Sequence, residues 1–348
     1  MLHNEDMTES ASRYSRQLLF APLGAAGQGR LAQARVAVVG CGALGSAQAE
    51  MLARAGVGRL RIIDRDFVEA SNLQRQWLFD EEDAEQRLPK AIAAERRLGR
   101  INHEVVVEPR IADLEPNNAA ALLADCDVVV DGTDNFETRF LLNDFAVANA
   151  VPWIYGAAVA ARGATFTIIP EATACLSCVF PEPPAGLTDT CESVGVLGWA
   201  VAWVAAQQVG ECVKLLAGAR DALRRSWISA DLWSNQFREL AAPPRDPECP
   251  TCAQRDFRHL RGDGRAAITL CGRNAVQIHE HHRPLDLAQL SARLGAHGLV
   301  RSNSFALRFL PRDAAPIEMT VFPDGRALIQ GTTETAVARS LYARYLGA

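Results

Sequence analysis

Nowhere in the 348 residues does an apolar run reach the roughly 20 positions that a membrane-spanning helix needs. The most apolar stretch, Val194 to Ala206, is shorter and is closed at once by Gln207 and Gln208, so it reads as a buried core helix. The amino-terminal "MLHNEDMTESASRYSRQ" has no apolar core and carries acids, so neither a secretory signal nor a transit peptide is expected there. A basic surplus is missing as well. Thirty-six Lys and Arg stand against 41 Asp and Glu, for a net charge of -5, which argues against nucleic acid or an anionic membrane as the main partner. Internal repeats and low-complexity tracts are absent. Without an export signal, nine cysteines point to thiols, metal ligation or catalysis rather than a disulfide framework, and a cytoplasmic protein is expected.

What is present is an alternation of strand and helix patterns through the first half. "RVAVVG", "RLRIID", "HEVVVEPR" and "CDVVVDGTDN" read as strands. "ALGSAQAEMLARAG", "LPKAIAAERRLGRIN", Ala119–Ala124 and "RFLLNDFAVANA" read as helices. Strands this apolar are buried on both faces, as parallel strands beneath helices must be. The fold class expected is α/β, a doubly wound Rossmann-like sheet. From Pro152, "WIYGAAVAARGATFTIIP" reads as two strands joined by a glycine-containing turn. A helix over Val194–Leu216 follows, then a short strand pair around Trp227–Ile228 and Phe237–Arg238. The Pro-rich "AAPPRDPECPTC" ends the large domain, and from Ala267 the chain restarts as β-α-β-β-α, with a hairpin turn at "FPDGRA". The division expected is a flexible segment over 1–12, a nucleotide-binding domain over 13–260 and a small α+β domain over 267–348.

Between the first strand and first helix lies a GxGxxG loop, with Gly40 for a tight turn, Gly42 for ligand approach and Gly45 for helix–strand packing. Free N–H groups at the helix start favour an anion, and Asp64, about 20 residues on, can bind ribose hydroxyls. That pattern serves a dinucleotide or another adenine nucleotide. The continuation "DRDFVEASNLQRQ" decides between them: Asn72, Arg75 and Gln76 form a polar cluster that hydride transfer does not need, whereas a guanidinium beside a nucleotide suits a triphosphate. Lys90 adds a point charge at the start of the next helix. "DGTDN" sets Asp131 and Asp134 at the carboxyl end of a parallel strand, where Asp134 could hold Mg²⁺ against phosphate oxygens.

These motifs in their order, "RYSRQ", "VVGCGALGS", "DRDFVEASNLQRQ", "LPK", "DGTDN", "CLSC", "DTCESVGVLG" and "CPTC", make the chain resemble the HesA/MoeB/ThiF superfamily, bacterial relatives of ubiquitin-activating enzymes, from about Ser12 to Phe257. The resemblance implies a homodimer that binds Mg-ATP and adenylates the terminal Gly-Gly carboxylate of a ubiquitin-like sulfur carrier, releasing pyrophosphate before a sulfur or thiol nucleophile attacks. It implies ribose binding by Asp64, phosphate contacts from Asn72, Arg75, Gln76 and Lys90, Mg²⁺ at Asp134, and Arg13 reaching the phosphates from the neighbouring subunit. A sulfurtransferase is the sulfur donor such a scheme admits. Arg87 stands where that family often has glycine, three residues before the lysine. Two other activities share the glycine loop or the fold: an NAD-dependent oxidoreductase, which leaves "SNLQRQ" without a purpose, and an adenylating enzyme acting on a tRNA base, which the acidic charge disfavours.

The pairs Cys175/Cys178 and Cys249/Cys252 have the CxxC spacing of two chelating turns, which together make a closed tetrahedral zinc site of structural type. Two roles are open to Cys191, which precedes a long helix: a loop thiol, or a thiol activated by a helix N-terminus for persulfide or thioester chemistry. Cys41, Cys126, Cys212 and Cys271 read as packing residues. The tract His279, His281 and His282 has no cysteine nearby and reads as a solvated strand end rather than a metal site. Beyond Ala267 no cysteine-centred sulfurtransferase loop is found, and an accessory role in binding the carrier or a partner is expected of that domain.

Overall fold

The computed structural model describes residues 13–182, 193–262, 269–270, 275–278 and 285–347. The chain divides into two compact units, Met1–Asp263 and Gly264–Ala348. In the first, β1 (Arg35–Val39), β2 (Arg59–Ile63), β3 (Val106–Arg110), β4 (Val128–Asp131), β5 (Trp153–Val159), β6 (Arg162–Ile168), β7 (Ser226–Asp231) and β8 (Gln236–Ala241) form one sheet in the order 3-2-1-4-5-6-7-8. The strands from β3 to β5 pair in parallel; those from β5 to β8 pair antiparallel. The parallel half has the 3-2-1-4-5 order of a mononucleotide-binding sheet, and its strands are parallel as the strand–helix alternation predicts.

Period two along β1 shows why Val36 to Val39 are all apolar. Val36 and Val38 face a core shared with Leu52, Leu98 and Cys212, while Ala37 and Val39 face a second core with Leu123, Phe140 and Phe145. Each side chain of Val or Leu size buried this way contributes roughly 1.5–3 kcal/mol. The covering helices include α1 (Ala43–Ala55), α2 (Lys90–Ile101), α3 (Phe136–Asn149) and α4 (Gly198–Leu216). Among the described residues, no helix is long and apolar enough to cross a membrane.

Three local expectations are corrected. Strand β3 lies at the sheet edge with both of its ends exposed, so it is not buried on both faces. Helix α4 begins at Gly198 rather than Val194, because the Gly195 carbonyl and Leu197 N–H bond to Ala160 at 2.9 Å each and hold that segment extended against the β5–β6 turn. That turn has no glycine: Ala160, at φ 53, makes it. Gly156 lies inside β5 instead, where a Cβ would come within 2.4 Å of the Gln208 amide. Arg87, in the position read as a departure from the family, ends the helix Glu81–Gln86 in the left-handed conformation, φ 46 and ψ 54, that ordinarily favours glycine.

In the second unit, β9 (Thr269–Leu270), β10 (Ala275–Ile278), β11 (Gly298–Ser302), β12 (Leu307–Pro311), β13 (Glu318–Val321) and β14 (Ala327–Gln330) form an antiparallel sheet in the order 11-12-13-14-10-9. Helices Leu287–Leu294 and Thr335–Leu346 share its core with Phe309, Met319 and Ile329. The turn at "FPDGRA" joins β13 to β14 as the sequence predicts, with the Phe322 N–H donating to the Arg326 carbonyl. The β-α-β-β-α pattern undercounts the strands. An Asx turn at Asn303, whose Oδ1 accepts from the N–H groups of Phe305 and Ala306, divides β11 from β12.

Candidate active site

Strand order reverses between β1 and β4, and the loops leaving their carboxyl ends meet there. Gly40 has φ 83, and a Cβ on it would lie 2.8 Å from the Gly132 carbonyl oxygen. A Cβ at Gly45 would lie 1.8 Å from the Gly40 oxygen. Those two glycines allow backbone to pack on backbone. Gly42 differs: the nearest atom to a Cβ there is Gln76 Nε2 at 3.8 Å, so the loop is open at this point. Gly42 is also the N-cap of α1, and no side chain caps that helix. Its first N–H groups are therefore available to an anion.

Asp64 is buried and braces the same loop. Its Oδ2 accepts the Cys41 N–H at 2.6 Å and its Oδ1 accepts the Asp66 N–H at 2.7 Å, which leaves further lone pairs for a hydroxyl donor. Burial raises the Asp64 pKa, and the Lys90 charge opposes that rise. Lys90 opens α2 as a buried residue with its Nζ 3.2 Å from Asp66 Oδ2. Asp66 was not singled out in the sequence, although it stands two residues beyond Asp64.

The stretch Glu69–Gln76 is a compact turn. Asn72 is buried and takes the Glu69 N–H on its Oδ1, and Arg75 Nη1 donates to the Ser71 carbonyl at 2.8 Å. Gln76 is 4% exposed, and its Oε1 has no hydrogen-bond partner, although such buried oxygens are normally paired. An orphaned amide oxygen beside the open Gly42 marks a place where a ligand donor or water belongs. The start of α4 packs against this turn, with a Cβ at Gly198 falling 3.4 Å from the Gln74 carbonyl.

The β4 loop separates its two acids. Asp131 is fully buried and bonds inward: Oδ1 accepts from the Thr133 N–H and hydroxyl, and Oδ2 pairs with Arg139 Nε at 2.9 Å. It does not line the ligand crevice, contrary to its expected place in the site. Asp134 is exposed, with Asn135 Nδ2 3.5 Å from its carboxylate. A solvent-facing carboxylate of this kind fits Mg²⁺, which is held through one or two carboxylates, phosphates and water. Sequence reasoning missed Arg139, Gln48 and Gln208. The two glutamines donate to the Asp131 carbonyl at 2.9 and 2.8 Å beneath the loop. A lone arginine within the apolar "RFLLNDF" helix was the available signal. Burial alone would lower the Arg139 pKa, but Asp131, Tyr155 and Asp134 together oppose it and the pKa is raised.

The four cysteines expected to bind metal come together. The Sγ atoms of Cys175, Cys178, Cys249 and Cys252 all lie within 4.8 Å of one another, with contacts of 3.5, 3.6 and 3.8 Å. Four thiolates about 2.3 Å from a tetrahedral Zn²⁺ would be spaced by about 3.8 Å. The donor set fits zinc. Helix α3 supports both knuckles: Asn143 accepts the Leu176 N–H, Ser177 bonds Thr251, and Asp144 accepts from Thr251 and from the N–H groups of His259 and Leu260.

Arg13 is not brought into this crevice by its own chain. Its Nη1 bonds the Ile101 carbonyl at the far end of α2, a helix that starts with Lys90. Twelve residues at 1.5 Å each separate the two ends by about 17 Å. Cys191, Cys271, His279, His281 and His282 lie outside the described residues, as does the expected flexible segment 1–12.

The model of the ThiF family matches residues 14–251. The chain is 44% identical over 340 residues to the sulfur carrier protein ThiS adenylyltransferase of Bacillus subtilis (strain 168), covering 96% of this chain and 99% of that one. It is 39% identical over 243 residues to the SAMP-activating enzyme E1 of Haloferax volcanii, covering 70% and 88% of the two chains. Among solved structures, E. coli MccB with ATP is alike in fold, with a TM-score of 0.61 at 22% identity over 72% of this chain and 75% of that chain. The B. subtilis likeness leaves too few residues uncovered to omit the second unit, so the resemblance extends past Phe257, where the motifs alone end it, into that unit.

Proposed function

The chain belongs to the ThiF family, and from that premise we propose that it is an ATP-dependent adenylyltransferase that activates the C-terminal Gly-Gly carboxylate of a ubiquitin-like sulfur carrier. The near full-length likeness to a protein named for adenylating ThiS favours a carrier of that type. The carrying observation is the opening at Gly42, where the donor Gln76 Nε2 is the nearest atom to a Cβ at 3.8 Å, beside an uncapped helix start and the buried Lys90.

In this scheme Asp64 accepts ribose hydroxyls, and Asn72, Arg75, Gln76 and Lys90 contact the triphosphate. Asp134 would hold Mg²⁺, which supplies charge neutralisation at the phosphate oxygens. A carrier carboxylate oxygen attacks the α-phosphorus, the bond to the bridging oxygen breaks, and pyrophosphate leaves with that electron pair. No general base is required, because the carboxylate is already ionised at neutral pH. Catalysis is then mainly alignment and stabilisation of charge on the phosphoryl oxygens. Arg13, held away from its own Lys90 by the length of α2, would complete the phosphate site of a twofold-related subunit. Cys175, Cys178, Cys249 and Cys252 would hold a structural zinc. Cys191 belongs to a later step, if to any, since forming the acyl–phosphate bond uses no thiol.

The test is exchange of labelled pyrophosphate into ATP. It should require a carrier ending in Gly-Gly and be abolished in Lys90→Ala and Asp134→Ala. Turnover of a nicotinamide cofactor with no exchange would overturn this reading in favour of the oxidoreductase.

A further inference from the structure

We propose that Asp131 and Arg139 are a positioning pair, which sets the backbone of the β4 loop so that Asp134 is presented to the metal–nucleotide complex. This rests on the reading of Asp134 as the magnesium residue. Among the described residues the Asp134 side chain is hydrogen-bonded to Asn135 and is exposed, so its location is set by its neighbours in the chain. Each of those neighbours is fastened. The Gly132 N–H donates to the Val39 carbonyl at 2.8 Å, which ties the loop to β1. The Thr133 N–H and hydroxyl reach Asp131 Oδ1 at 2.9 and 2.6 Å. The Thr133 carbonyl accepts Arg139 Nη2 at 2.7 Å, and the same nitrogen reaches the Gly156 carbonyl on β5 at 2.8 Å. Asn135 caps α3 by accepting the Thr138 N–H at 2.8 Å.

Arg139 thus clamps β4, β5 and the loop from a site that is 4% exposed, its guanidinium 5.0 Å from the Tyr155 ring and 5.4 Å from that of Phe136. The planar fork is what allows one side chain to serve a carboxylate and two carbonyls. A lysine would keep the charge but lose the fork. Residues 132, 133 and 135 are pinned, and residue 134 projects from them. Positioning by groups that do not themselves touch a metal commonly governs its affinity.

The experiment measures Mn²⁺ binding, by electron paramagnetic resonance, to the full chain complexed with a non-hydrolysable ATP analogue. Arg139→Lys should weaken Mn²⁺ binding about ten- to a hundredfold, as loss of such support does elsewhere. Nucleotide affinity without metal should be unchanged, and half-saturating Mg²⁺ in pyrophosphate exchange should rise in step. Thr133→Val, which removes one hydroxyl and leaves the ion pair, should shift Mn²⁺ binding in the same direction by less. It also carries the test if Arg139→Lys fails to fold. Unchanged Mn²⁺ affinity in the folded variants, with Asp134→Ala losing the metal, overturns the positioning pair and leaves the Asp134 reading standing. Unchanged affinity in Asp134→Ala overturns that reading and the inference with it.

Discussion

Gly42, the N-cap of α1, and Gly45, in its first turn, are three residues apart, yet their environments demand opposite outcomes from the same substitution. A methyl group at residue 45 collides with the Gly40 carbonyl, so Gly45→Ala should lower stability by about 1–3 kcal/mol through overpacking. A methyl group at residue 42 meets only the Gln76 amide, at an ordinary contact distance of 3.8 Å, so Gly42→Ala should melt like the parent and instead bind ATP more weakly. Thermal unfolding and ATP titration of both variants check this. A second residue-scale prediction lies at the opposite ends of the strands, where Arg61 bridges Asp125 and Glu108. The Arg61 hydrogen bond lowers the Asp125 pKa to about 2 from an ordinary value of 3.8. A depressed carboxyl pKa adds stability above its unfolded value, and that stability is lost as pH falls through the folded value. The gap in melting temperature between the parent and Arg61→Met should therefore narrow as the pH drops from 5 towards 2. The residues whose chemistry is tied to a spacing, such as Asp64 after the glycine loop, were legible in the sequence. Asp66 and Arg139 were not, because their roles come from partners that only the folded sheet brings near.

At the scale of elements, α3 spans from the candidate magnesium loop at its start to the cysteine knuckles along its second half. The knuckles join residues 175–178 to 249–252, segments separated by four elements of the unit, so a metal there restrains a long stretch of chain. About one zinc per chain is expected, and metal affinity contributes directly to folding. Cys249→Ser should lose the metal, measured by elemental analysis, and lower the melting temperature sharply; a metal-free parent protein would contradict the site. Element type was readable wherever periodicity was strong, as in β1, α2 and α4. Boundaries failed where backbone hydrogen bonds outside the element decided them: Val194 is apolar enough for a helix, but the next residues are tied to Ala160. The strands of the second unit are two to five residues long, and the Asn303 turn between two of them carries no glycine or proline.

At the scale of the molecule, the proposal has Arg13 supplied in trans, so that two subunits would share each site. Arg13→Ala and Lys90→Ala should each be inactive as homodimers. Mixed so that subunits exchange, a heterodimer places both defects in one site and neither in the other, and activity should return to about half per dimer, as an isologous assembly requires. Verified heterodimers that stay inactive would return Arg13 to its own subunit. The doubly wound class of the sheet was legible from the alternation of strand and helix patterns, its strand order only from the fold. The extent of the likeness was not, because the second unit carries no motif that names a chemistry, and only alignment along the whole chain relates it to the B. subtilis protein. The most direct measurement of the central claim is the intact mass of a Gly-Gly-ending carrier incubated with this protein and Mg-ATP, without thiol or sulfide. The account predicts a carrier heavier by one adenylyl group at its C-terminal carboxylate, with pyrophosphate formed in equal amount. A carrier of unchanged mass, with ATP untouched beside a protein that binds it, would contradict it.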